Sequence, residues 1–303
     1  MKNYSKKIIT SVLTLVIMVV ALGTGVFAWF TMNTKTEATN LTGSAEAGDG
    51  GFYISDDGIT WDNFVSLSDI NPKGSVGQTM EPLTDLTTTD GKVLIKRGGT
   101  NDFGKGYFEF NLYFITGSTY KYIYLVGLEI DSDETSWSAE KAVSDGDRSV
   151  VAGDTMKSKL ANAIRVSLVD ANSQTAEAKI FENPADTPNF ESSGTTKTLH
   201  NTTGFADAQS NFAALYYEAI HGETLIVPGA RGDTVIGEDG VVNEFIVEAT
   251  DEDNEPIETF THEAAITVRV WIEGWDQEAF NAILGGEVTI NFKFEVKDIL
   301  PTP

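Results

Sequence analysis

Two tryptophans and two carboxylates lie within six residues in "WIEGWD", where Trp271, Glu273, Trp275 and Asp276 follow a β-branched run. Indole faces stack on pyranose rings and carboxylates bind hydroxyls, so this spacing could form a sugar platform. The competing and favoured reading is structural: Trp275 packs at a corner and Asp276 caps the following helical turn. Glycosidic cleavage would need two carboxylates about 5–10 Å apart across a cleft. With 45 acidic residues, the sequence cannot nominate such a pair.

Acidic loops offer oxygen ligands to a hard cation. "DSDET" (131–135), "DGD" (145–147) and "DEDNE" (251–255) are the candidates, and Asp251, Asp253 and Glu255 are favoured for calcium. None follows the EF-hand spacing, and solvated turns are the favoured reading of such loops. Arg231-Gly232-Asp233 follows Pro228-Gly229 and reads as a turn. His200, His221 and His262 are too scattered for a ligand set, and cysteine is absent, which excludes disulfides, zinc ribbons and thiol catalysis. No GxSxG, HExxH, P-loop or dinucleotide fingerprint occurs, so the chain reads as non-enzymatic and without a cofactor, calcium being the one candidate.

The chain has 303 residues and a formal charge of −24. Its first 28 residues hold three lysines and no acid, so the remaining 275 carry −27. Such a body is repelled by nucleic acid and by anionic lipid. The basic start, Lys2, Lys6 and Lys7, precedes 15 largely apolar residues from Ile8 to Leu22. That is the length of a signal-peptide core and short of the roughly 20 residues that span a bilayer. Val26 and Ala28 occupy the −3 and −1 positions of a small-residue cleavage site before Trp29. Retention as an anchor is the alternative, because residues 8–30 together are long enough to span. Contact with a membrane is expected only through residues 8–30, before cleavage.

Period-two alternation dominates the rest. Val288, Ile290, Phe292, Phe294 and Val296 alternate with polar residues, and Ile266, Val268, Val270 and Ile272 do the same. Residues 106–116 and 120–130 are aromatic, β-branched runs separated by Gly117-Ser118-Thr119, which predicts a hairpin. Residues 51–64 predict another, turned at Asp57-Gly58; 162–170 and 243–250 predict strands. Asp154 and Asp276 are expected to cap short helices, and 206–220 is left open between helix and strand. Many strands without βα alternation predict a mainly β, antiparallel β-sandwich of jelly-roll type with few helices, as one domain over 29–303.

Residues 29–47 are extended in character, threonine-rich and almost without an apolar face after Met32. Such an arm cannot fold alone. It must pair with its own sheet or with another chain.

"ALGTGVFAWFTMN" resembles the signal-peptide end of the TasA/camelysin family of secreted Gram-positive proteins, through Leu22, Gly23, Thr24, Gly25, Ala28 and Phe30. Val26 departs from the threonine often found near that point. "VRVWIEGWDQEAFNAI", with the final amphipathic strand, is similar to the C-terminal arrangement of the same family. The resemblance covers only the two ends of the chain. It implies processing by a SipW-type signal peptidase, a jelly-roll fold, and fibres in which the N-terminal segment of one subunit adds a strand to the next. Trp29, Phe30 and Met32 would then fill a pocket and set register. The expected role is an exported structural protein of the extracellular matrix or cell surface. The alternative is a monomeric surface adhesin or glycan-binding module.

Overall fold

The computed structural model describes residues 37–46, 51–66, 83, 85–96, 99–117, 121–173, 175–184, 190–199, 212–222, 234–237, 240–250, 262–276 and 287–298. The alternation that predicts the last strand produces it. In β19 (Glu287–Lys297) Val288, Ile290, Phe292, Phe294 and Val296 are all buried, and the residues between them are not. Neighbouring strands complete a five-stranded sheet. They are β7 (Tyr122–Ser132), β17 (Val241–Glu248), β1 (Glu37–Glu46) and β3 (Phe64–Ser66), in the order β17-β7-β19-β1-β3.

A second sheet of eight strands faces it. Its long central strand, β18 (His262–Glu273), lies between β12 (Ile164–Asp170) and β6 (Phe108–Thr116), antiparallel to both. Beyond β12 come β13 (Lys179–Glu182) and β16 (Thr234–Val235), and beyond β6 comes β2 (Phe52–Ser55). The C-terminal end of β18 pairs with β4 (Asp85–Thr87), which pairs in turn with β5 (Ile95–Lys96). Phe114 of one sheet meets Phe294 of the other edge-on, with ring centroids 4.9 Å apart, so the two inner faces share one core. The protein is a mainly β sandwich.

Four strands form a separate small sheet in the order β14-β15-β11-β8: β8 (Glu134–Ser138), β11 (Thr155–Lys159), β14 (Phe190–Ser193) and β15 (Thr196–Leu199). A two-stranded ribbon, β9 (Val143–Asp145) and β10 (Arg148–Val150), forms its own ladder and packs Val143 and Val150 with Met156 and Leu199 of that sheet. The one-turn helix α1 (Leu160–Ala163) follows β11, and α2 (Phe212–His221) packs Phe212, Tyr216 and Tyr217 into a second core with Met156 and Leu199.

Several expectations need correction. Residues 106–116 and 120–130 do not form a hairpin: β6 pairs with β18 and β2, whereas β7 pairs with β19 and β17. Both runs carry a buried row, and placing them on opposite sheets turns both rows into the same core. The predicted 51–64 hairpin keeps only a bridge between Ile54 and Asp62, because β3 pairs with β1 instead. Asp154 caps no helix. Thr155–Lys159 is a strand in which Met156 and Ser158 are buried in alternation, and the Asp154 carboxylate accepts from the Val151 amide (3.0 Å). The segment left open resolves as helix from Phe212 to His221.

The Asp57-Gly58 turn has a counterpart. In Ser55–Thr60 the Ser55 hydroxyl accepts from Gly58 N–H, and the Asp57 carboxylate accepts from the amides of Ile59 and Thr60. In Thr88–Val93 the Thr88 hydroxyl accepts from Gly91 N–H, and Asp90 accepts from Lys92 and Val93. Those backbone bonds hold the Asp57 carboxyl down at about 2. Gly91, at φ +68°, lets the second turn lie flat on the outer face of the eight-stranded sheet. There a Cβ would stand 2.8 Å from that of Ala178.

Candidate functional site

The register of the eight-stranded sheet builds the first candidate. Arg165 stands opposite Glu182 on one side and Trp271 on the other, so three neighbouring strands set these side chains in one row. Ile164, Val166 and Leu168 face the shared core, which leaves Arg165 and Ser167 on the outer face. That face is covered. Leu86, Leu94, Ile180 and Trp271 pack with Phe103 and Tyr107, and the Ser167 hydroxyl donates to Gly91 O at 2.7 Å.

Arg165 is fully buried, with one guanidinium nitrogen 2.7 Å from Asp276 and 2.9 Å from Glu182. Another donates to the carbonyls of Asn162 and Ile164, both at 3.0 Å. Glu273 lies two residues beyond Trp271 on the same face. Its carboxylate accepts from the Trp271 indole (3.1 Å) and from the Trp275 amide (3.2 Å). Burial pushes the Glu273 carboxyl up to about 7, against the opposing pull of Arg165 and the indole N–H. Burial alone would lower the guanidinium, but Asp276, Glu182 and Glu273 hold it above its ordinary value. The turn after β18 is pinned twice more, by Gly274 N–H to Leu86 O (2.6 Å) and by the Tyr217 hydroxyl to Gly274 O (2.7 Å).

The residues considered for a sugar platform are therefore brought together, but as an interior corner. Trp271 and Glu273 have no exposed surface, and Asp276 and Trp275 are buried beside them. No indole face is open for stacking. Trp275 is buried at the corner and Asp276 is an ion-pair partner of Arg165, while the turn that Asp276 is expected to cap lies outside the described residues. Arg165 and Glu182 were not singled out from sequence; the one signal was an arginine within the apolar run "NAIRVSLVD". What the described geometry shows is a buried charge cluster that cross-links three strands and can bind a proton.

The second candidate is the seat of β1. Glu37–Glu46 pairs in parallel with β19 through nine residues and antiparallel with β3. The later half of the arm thus takes the first of its two fates and completes its own sheet, between two strands and not at an edge. Ladder positions level with Val288, Ile290, Phe292 and Phe294 are held by Ala38, Leu41, Gly43 and Ala45. Only one of those four residues is large and apolar, so backbone hydrogen bonds, each about 1 kcal/mol net, carry most of the hold. The ladder slips once, between Ala38 and Asn40.

The strands that end the two large sheets are poor templates. β3, β5 and β16 have three, two and two residues, and β2 is capped by the Ile54–Asp62 bridge. β17 is longer but irregular at Val241/Glu244 and Phe245/Val247, which bends an edge away from further pairing. If β1 left, β19 would present a long, strictly alternating edge.

Val26, Ala28, Trp29, Phe30 and Met32 lie outside the described residues, as do Asp251, Asp253 and Glu255. Among the described residues no group of three ligating side chains is placed to hold a metal, and no helix is long and apolar enough to cross a membrane. No family model, curated protein or solved structure matches the chain.

Proposed function

We propose that this chain is a non-enzymatic, exported structural subunit of a bacterial cell surface or extracellular matrix, which assembles by passing β1 to a neighbouring copy. The observation that carries this reading is the seat of β1: an N-terminal strand of mostly small and polar residues occupies an interior place beside the most regular strand of the sandwich. β1 is the first described strand; its exchange would break two ladders, one with β19 and one with the three-residue β3, and an incoming copy would remake both. An identical segment from a second copy would make the same backbone bonds, which is strand addition to an opened edge. Repeated head to tail, the contact does not close and gives a filament.

The resemblance of both ends to the TasA/camelysin family supports this reading, together with a jelly-roll topology and processing by a SipW-type peptidase. The basic, apolar leader supports export, with release after Ala28 freeing the arm. A strongly acidic body supports solubility outside the cell and not nucleic-acid binding. Electron microscopy of the exported protein is expected to show filaments, and to show none when residues 37–46 are deleted. Filaments that persist in the deletion would exclude β1 as the linking element.

A second reading, a monomeric surface module for a host protein or glycan, is favoured by the same strand closing its own sheet. It predicts a single monomeric species at all concentrations, and a ligand surface elsewhere than the buried Trp271–Asp276 corner.

A further inference from the structure

A groove of about 200 Å³ opens where β17 leaves β7. The β17 ladder starts at Val241, opposite Gly127, and runs towards Tyr122, so it does not cover Leu128–Ser132. Leu128 and Ile130 form part of the floor, and Asn183 closes one side by donating to Ile130 O at 2.8 Å. Glu129, Asp131 and Lys159 stand on the rim. Small-molecule sites usually measure about 300–1,000 Å³, so this groove suits a single side chain and its backbone better than a free ligand.

We propose that the groove seats the aromatic start of the segment that leads into β1, residues 29–36. This rests on the strand-exchange reading and names the pocket which that reading requires. Position favours it. β1 begins at Glu37 beside Glu287, and Ser132 of β7 lies opposite Val288, so the arm enters the sheet at the end where the groove opens. Two strand spacings, about 10 Å, separate β1 from β7. Eight extended residues reach about 26 Å. Charge favours it as well. "WFTMNTKT" holds Lys35 and no acid, and cleavage after Ala28 would add an α-ammonium, whereas the rim carries two carboxylates against one lysine. Trp29 or Phe30 fills the groove, and the basic end lies against Glu129 and Asp131. The same groove serves the chain's own arm in the monomer and the donor's arm in the filament.

Because the chain lacks cysteine, a pair of introduced thiols reports proximity without background. The full chain, exported from a Gram-positive host, would carry Phe30→Cys with Lys159→Cys. A control would carry Phe30→Cys with Val151→Cys, whose site is exposed on the outlying part of the fold. Under mild oxidation the groove pair should form a disulfide about tenfold faster than the control, as tethered thiols at raised effective concentration do. Adding Glu129→Lys and Asp131→Lys should slow it. Equal rates for both pairs would overturn the proposal. Electron microscopy of the same samples separates the two ideas. Filaments with no preference for the groove pair would leave strand exchange standing and remove the groove. A groove disulfide confined within single chains, without filaments, would keep the groove and remove the exchange.

Discussion

Replacing Arg165 with Met should cost about 3–5 kcal/mol of folding stability, the effect of stranding buried carboxylates by removing the guanidinium they share. Glu182 and Asp276 both bind the same guanidinium nitrogen, and both are buried. For a body of this size the loss corresponds to a fall of about 5–9 °C in melting temperature. Arg165→Lys should recover only part, because an ammonium cannot bridge two carboxylates while also meeting the Asn162 and Ile164 carbonyls. The triple change Arg165→Met, Glu182→Gln, Asp276→Asn should regain most of the stability, since it removes the stranded charges. Urea unfolding of the four proteins distinguishes these outcomes. A triple variant no more stable than Arg165→Met would show that packing, not charge, accounts for the cost.

Glu273 should make the protein less stable as pH rises, the reverse of an ordinary surface-paired carboxylate. Burial pushes its carboxyl up to about 7 in the folded protein, from an ordinary value of 4.5. The native state therefore holds this proton more tightly than the unfolded chain does. Its contribution is fully present below the unfolded value and is lost as pH climbs through 7. A shift of that size corresponds to roughly 3 kcal/mol between pH 5 and pH 8.5. Glu273→Gln keeps an acceptor for the Trp271 indole but cannot ionise. Unfolding free energies measured across this range should converge for the two proteins at low pH and separate at high pH, with the variant the more stable. Parallel profiles would mean that Arg165 keeps Glu273 ionised throughout.

The sandwich was legible where one strand carries its own evidence. Five apolar residues at a spacing of two in β19, and the β-branched run of β18, are patterns that only a half-buried or central strand satisfies. Partnership was less legible. Phe108–Thr116 and Tyr122–Ser132 are separated by a turn-like loop, and a hairpin and a crossover between sheets share that signature. What separates them is where the buried rows point, a property of the completed core.

The Trp271–Asp276 corner shows the same limit. Tryptophan beside carboxylate looks alike on a surface and under a lid. Here the cover comes from Leu86, Leu94, Phe103 and Tyr107, more than 160 residues earlier. Arg165 was missed because an arginine in a strand normally faces water. Only the pairing of β13, β12 and β18 brings two acids to it. The arm was half legible: its composition showed that it could not stand alone, but not that its own sheet holds a place for it.

The seat of β1 offers the most direct test of the central claim. Ser44 and Lys293 stand level in the parallel β1–β19 ladder, so Ser44→Cys with Lys293→Cys would staple the strand to its own chain, in a protein with no other thiol. Sedimentation and electron microscopy of the oxidised and reduced protein then give the answer. Exchange of β1 predicts that the oxidised form stays monomeric and that reduction releases filament growth. Filaments growing equally well from the stapled protein would contradict it.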